Sequence, residues 1–112
     1  MSFNLAVILS ETAAASPDKA ASLHAGGQLT YAELDALSDR LAAGLAGAGI
    51  RPGDPVALQL PNIPQFLIGY FGILKAGGVV VPMNVLLKEP EVEFQLADSG
   101  ARMLITWQGA LG

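Results

Sequence analysis

Between Pro55 and Leu87 the chain carries a single charge, Lys75. Inside that stretch Phe66, Leu67, Ile68, Tyr70, Phe71, Ile73 and Leu74 fall between Pro61-Asn62 and Gly77-Gly78, and they read as one helix with hardly any polar side. A helix that is apolar all round is stable only where protein or lipid covers it all round. Length rules out lipid, because the run from Phe66 stops at Lys75, far short of the roughly 20 residues that cross a bilayer. The helix therefore needs a protein cover. At 112 residues the chain has room for one domain, and a sheet of about four or five strands covers one face of such a helix. We therefore expect the segment to sit inside a larger body. The alternative is a small module whose exposed apolar patch pairs with itself or another protein, since such patches are unusual on monomers.

Composition narrows the chemistry. Apolar residues make up 52% and charged residues 14%, the balance of a globular chain. The net charge is -4, and the six basic residues stand singly at positions 19, 40, 51, 75, 88 and 102, so no basic stripe meets a nucleic-acid backbone. Without Cys there is no disulfide, thiolate metal site or cysteine nucleophile, and His24 alone builds no histidine metal cluster. Met1 to Leu9 lacks the basic lead and cleavage site of a signal peptide. Nothing basic and amphipathic argues for a membrane surface.

Start and stop signals alternate along the chain. Leu5, Ile8, Leu9 and Thr12 make a first amphipathic helix, closed at Ser16-Pro17-Asp18 because proline pushes its predecessor out of helical geometry. Ala21 to His24 and Gln28 to Thr30 flank Ala25-Gly26-Gly27 as a hairpin. Thr30-Tyr31-Ala32-Glu33 is a capping box; Leu34, Leu37, Leu41 and Leu45 form the stripe of the helix that follows, with Glu33, Asp35, Asp39 and Arg40 on its wet side and Gly49 as its stop. A strand over Val56 to Leu60 leads to Asn62, which can cap the apolar helix while Gln65 closes a second box. That helix runs to about Ala76. Val79-Val80-Val81 is then expected as a strand buried on both faces. A last helix, begun near Pro90, carries Val92, Phe94 and Leu96 inward and ends at Ser99-Gly100, before a strand from Arg102 to Thr106. Strands alternating with helices imply right-handed crossovers and a parallel sheet, hence an α/β fold of βαβ units with an N-terminal helix and a small hairpin.

Candidate chemistry is sparse. Gly72 to Val79 has the first spacing of a phosphate loop but puts Gly78 and Val79 where Lys and Ser/Thr are required, and it ends a helix instead of starting one. Gly44, Gly47 and Gly49 have the dinucleotide glycines in the wrong order. His24 has no acidic neighbour in its strand, and Glu89, Glu91 and Glu93 read as a helix start favoured by its dipole; Asp98 and Lys75 read as ordinary helix-end charges. No catalytic, cofactor-binding or metal-ligating residue is therefore assigned. In parallel α/β sheets ligands bind beyond the carboxyl ends of the strands. Two strands deliver Asn62, Met83 and Asn84 to that edge, which makes these three the substrate-edge candidates, against helix capping for Asn62 and turn-making for Asn84.

Five phrases in order carry a family resemblance: Leu29-Thr30-Tyr31-Ala32-Glu33-Leu34, Arg51-Pro52-Gly53-Asp54-Pro55-Val56-Ala57, Leu60-Pro61-Asn62-Ile63-Pro64-Gln65-Phe66, Lys75-Ala76-Gly77-Gly78-Val79-Val80-Val81-Pro82-Met83-Asn84 and Leu96-Ala97-Asp98-Ser99-Gly100-Ala101. Together they resemble the N-terminal stretch of the AMP-forming acyl-CoA synthetases, within the adenylate-forming superfamily, and Val85-Leu86-Leu87-Lys88-Glu89 looks most like the fatty-acyl-CoA ligase branch. The resemblance implies that residues 1–112 are the N-terminal part of an AMP-binding domain whose remainder and lid domain lie elsewhere. It further implies a ligase that activates a fatty acid with ATP and magnesium to an acyl-adenylate and then passes the acyl group to coenzyme A. Its phosphate loop and other catalytic segments lie beyond residue 112, so these residues alone are expected to be inactive and to bind no cofactor. The setting it implies is the cytoplasm, with peripheral membrane contact in members using long chains. A fatty-acyl-AMP ligase or a peptide-synthetase adenylation domain shares the early phrases.

Overall fold

The computed structural model describes residues 5–24 and 27–106. Its elements in order are α1 (Leu5–Ala15), β1 (Ala20–His24), β2 (Gly27–Thr30), α2 (Tyr31–Gly47), β3 (Pro55–Gln59), α3 (Ile63–Lys75), β4 (Val79–Pro82), α4 (Glu89–Ser99) and β5 (Met103–Thr106). The expected hairpin forms from β1 and β2, with Ala25 and Gly26 of its tip outside the described residues. The α/β class also stands. Its parallel sheet, in the order β4-β3-β5, has three strands among the described residues, where about four or five were expected. Val56 sits opposite both Val80 and Met103. Because β4 and β5 flank β3 on opposite sides, right-handed crossovers place α3 and α4 on opposite faces of the sheet.

The punctuation of the sequence is realised in hydrogen bonds. Thr30 Oγ1 accepts from the Glu33 N–H at 3.1 Å while Glu33 Oε1 accepts from the Thr30 N–H at 2.9 Å, so two donors at the start of α2 are satisfied reciprocally. At α3 only half of the second box forms: Asn62 Oδ1 accepts from the Gln65 N–H at 3.3 Å, and the Gln65 side chain makes no return bond. Glycine is required at Gly77 on two counts. Its φ of 83° is disfavoured for other residues, and a Cβ there would stand 3.1 Å from Pro52 Cα.

Two clusters make the core, and α3 joins them. On one side Phe66, Tyr70 and Ile73 pack with Val56 and Leu58 of the sheet and with Leu45 of α2. On the other, Leu67, Ile68 and Phe71 pack against Leu9, Leu29 and Leu34 from α1, the hairpin and α2. The chain thus covers this helix on two sides, one more than the sequence reading allowed. Close approach of α2 makes that possible: a Cβ on Gly72 would lie 2.6 Å from Leu41 Cδ2, so only glycine leaves room for the Leu41 side chain as it stands.

Several expectations about which side faces in are corrected. The strand buried throughout is β3, with Val56, Ala57 and Leu58 at 0% exposure; β4 takes an outer position and leaves Val79 51% exposed. A β-branched run specifies a strand but not its place in the sheet. Phe94 points outward at 69% exposure, because a residue two positions from Val92 and Leu96 lies off their shared helix face. In α2, Ser38 is fully buried and Leu37 is not, since residues 34, 38, 41 and 45 make the tighter helical stripe. Likewise α1 buries Ala6, Leu9 and Ala13 and exposes Leu5 and Ile8.

Candidate functional site

Parallel pairing brings the carboxyl ends of β3, β4 and β5 to one edge of the sheet, and a buried glutamine ties them together. Gln59, the last residue of β3, is 2% exposed. Its Nε2 donates to the Asn84 carbonyl oxygen at 2.9 Å beyond β4, and its Oε1 accepts from Thr106 Oγ1 at 3.3 Å at the end of β5. The burial of an amide is tolerated because both ends of it are bonded. This residue was missed by sequence reasoning. The signal was present, since a glutamine inside an apolar strand must find partners, but the partners come from residues 25 and 47 positions away.

The three sequence candidates gather around this edge. Met83 is buried and donates its N–H to the Leu58 carbonyl at 2.9 Å, continuing the ladder past Pro82. Asn84 is exposed; its Oδ1 accepts from the Leu86 N–H at 2.8 Å, an Asx turn that starts the connection to α4. Asn62 is exposed and caps α3. Capping and turn-making are therefore what the two asparagine side chains do here. Among Gln59, Asn62, Met83, Asn84 and Thr106 no side chain is an acid or a base at neutral pH. This edge can orient a polar group but not move a proton.

The second polar cluster lies where α1, α2 and α3 meet. Lys75, its side chain 10% exposed, directs its Nζ to Asp35 Oδ1 at 2.6 Å, the Asp35 carbonyl oxygen at 2.9 Å and Asp39 Oδ1 at 2.7 Å. Ser10 Oγ of α1 donates to the same Asp35 Oδ1 at 3.2 Å. Asp35 and Asp39 are thus not simply the wet side of α2, and Lys75 is not a loose helix-end charge. With three acceptors on its three N–H bonds, Lys75 has no donor left for a ligand and serves as a latch between α2 and α3. An open cavity of about 560 Å³ lies beside it, lined by Val7, Ser10, Glu11, Asp39 and Lys75 among others. A smaller one of about 270 Å³ is lined mainly by apolar side chains, including Leu5, Ile8, Leu34 and Phe71.

The glycine pair and the acidic side chains of Glu33 and Glu91 have other partners among the described residues. Gly77 and Gly78 donate their N–H groups back to Leu74 and Ile73 of α3, so the glycine pair closes a helix and cradles nothing. Among the described residues no three His, Cys, Asp or Glu side chains converge on a point. His24 ends β1 opposite Gly27. Glu91 Oε1 accepts from the Lys88 N–H at 3.1 Å, so the acidic start of α4 is a cap. Glu33 has its carboxyl held below the ordinary carboxylate range by the bonds from the backbone and side chain of Thr30, and this too is capping. Among the described residues no helix is long and apolar enough to cross a membrane.

A family model described as AMP-binding enzyme matches residues 9–111. A feruloyl-CoA synthase from an Amycolatopsis species is 51% identical over 90 residues, which cover 80% of this chain and 18% of that protein. A long-chain-fatty-acid–CoA ligase from Bacillus subtilis is 44% identical over 99 residues, covering 88% of this chain and again 18% of the relative. Among solved structures, a fatty acyl CoA synthetase from Mycobacterium tuberculosis superposes with a TM-score of 0.88 at 38% identity, over 96% of this chain and 22% of that one. The chain therefore spans about a fifth of the length of the relatives it matches.

Proposed function

The chain belongs to the AMP-binding enzyme family, and on that premise we propose that it forms the N-terminal part of the adenylate-forming domain of an acyl-CoA ligase. The reaction proposed for the whole enzyme activates a fatty acid with ATP, with magnesium as the metal, and transfers the acyl group to coenzyme A. The observation that carries this reading is the family match over residues 9–111, joined to the likeness in fold to a fatty acyl CoA synthetase. In that enzyme the present residues act as scaffold. The edge closed by Gln59 has no proton-transfer group, and Lys75 is fully engaged by Asp35 and Asp39, which supports a structural part for both. We assign Asn62, Met83 and Asn84 to the rim of the sheet that faces the ligand.

Incubation of the 112-residue chain with ATP, magnesium and a fatty acid is expected to release no more pyrophosphate than a protein-free blank. Release above the blank overturns the scaffold reading. The higher identity to a feruloyl-CoA synthase than to the fatty-acid ligase favours a second substrate class, an aromatic acid. A full-length enzyme carrying this segment, offered a fatty acid and ferulic acid side by side, separates the two. If that enzyme forms the adenylate but consumes no coenzyme A, it is an adenylation enzyme of the other kind.

A further inference from the structure

Resting on the family reading above, we propose that Gln59 is a positioning residue for the ligand-facing rim: its buried amide fixes the chain after β4 against the end of β5, and substrate affinity depends on that tie. Backbone pairing does not reach far enough to hold the rim by itself. The ladder between β3 and β4 has Leu58 opposite Pro82 as its last pair, and the bond from the Met83 N–H to the Leu58 carbonyl extends it by one residue. Beyond Met83, among the described residues, the bond from Gln59 Nε2 to the Asn84 carbonyl oxygen at 2.9 Å is what joins residues 84–88 to the sheet. The turn that follows is built on Asn84. Its carbonyl oxygen also accepts from the Leu87 N–H at 3.2 Å, and its Oδ1 accepts from the Leu86 N–H at 2.8 Å. Gln59 therefore anchors the residue on which the turn depends.

The chemistry of the position is narrow. Thr106 is the register partner of Gln59 on β5, which brings its Oγ1 within 3.3 Å of Gln59 Oε1. One side chain must thus offer a donor toward the end of β4 and an acceptor toward the end of β5. An amide supplies both; an ionised glutamate only accepts, a lysine only donates, and a methionine does neither to any useful degree. At 2% exposure, solvent does not stand in for either bond at Gln59. The kinetic consequence follows from the composition of the rim. Gln59, Asn62, Met83, Asn84 and Thr106 include no acid, base or charge, so they hold substrate and transition state alike. Misplacing such a rim removes uniform binding, which raises KM and leaves kcat. A part played through folding alone would instead shrink the active fraction, lowering kcat at unchanged KM.

The test uses Gln59→Met, which keeps the length of the side chain and removes both bonds. In a full-length enzyme carrying this segment, steady-state kinetics with acid, ATP and coenzyme A should show KM for at least one substrate raised fivefold or more, with kcat within twofold of the parent. Thr106→Val removes one of the two bonds and should raise the same KM less. The double variant should match Gln59→Met, because Thr106 acts through the same amide. Gln28→Met, at an exposed site on β2, is the control and should change neither constant. In the isolated 112-residue chain, hydrogen exchange of Gln59→Met should be at least fivefold faster at the Leu86 and Leu87 amides and unchanged from Val56 to Leu58. A fall in kcat with every KM unchanged would overturn the positioning role. So would Leu86 and Leu87 exchanging at the parent's rate, or equal acceleration across Val56 to Leu58, which would mark a loosened sheet. An enzyme inert toward every acid fails the proposed function instead, and the exchange experiment then decides the tie by itself.

Discussion

Helix α3 has almost no polar residue and yet finds cover on two sides within the chain, whereas α4 has an ordinary mixed sequence and buries nothing. Both are crossover helices of one sheet, on opposite faces. What separates them is the neighbours they meet. The first helix, the hairpin and α2 all pack on the α3 side, and among the described residues nothing comparable stands over α4. Apolar content therefore says how much cover a helix needs, and topology decides whether the chain supplies it.

Substitutions can break this contrast, starting with the largest effect. Ile73→Ala, at a position with 0% exposure in α3, should cost about 2–5 kcal/mol in urea unfolding. The corresponding Phe94→Ala in α4 should stay within about 0.5 kcal/mol. Equal losses at the two sites would erase the distinction between the helices. Next in size is Lys75→Met, which removes the bonds to Asp35 and Asp39 and leaves Asp35 half-buried with its charge unmatched. A loss of about 1–3 kcal/mol is expected, discounted because Asp39 is largely exposed. A variant as stable as the parent would mean that packing alone holds α2 to α3.

The smallest effect sits away from both helices, at the cap of α2. Thr30→Ala should cost about 1 kcal/mol. Its partner Glu33 has a folded-state value below the ordinary 4.5, so the stability it contributes is present above that value and is lost as pH falls through the lower, folded one. Glu33→Gln should therefore flatten the acid limb of a stability profile while leaving neutral pH behaviour similar in shape. An unchanged acid limb would show that the cap does not depend on the charge.

Features set by a few adjacent residues were legible in the sequence. The reciprocal bonds of Thr30 and Glu33, the cap at Asn62 and the stops at Gly49 and Gly100 depend on nothing beyond their own turn, and the structure shows them. Features set by distant partners were not. Whether Leu37 or Ser38 faces inward depends on where α3 crosses α2, and the closeness of that crossing is fixed by Gly72 against Leu41. Asp35 reads as a surface charge until Lys75, 40 positions later, folds back onto it. The valines of β4 announce a strand, but only pairing decides that β3 takes the centre. At the sheet edge Asn62 and Asn84 were found through their positions after strands. Gln59 was not, because its two partners are remote in sequence.

Amide hydrogen exchange on the isolated chain tests the central claim most directly, since it reads α3 and α4 in one sample under one condition. Amides of α3 from Gly69 to Lys75 are expected to be the slow ones and to exchange only with global opening, while those of α4 from Val92 to Ser99 exchange orders of magnitude faster. Protection of α4 equal to that of α3, or α3 exchanging as freely as α4, would contradict it.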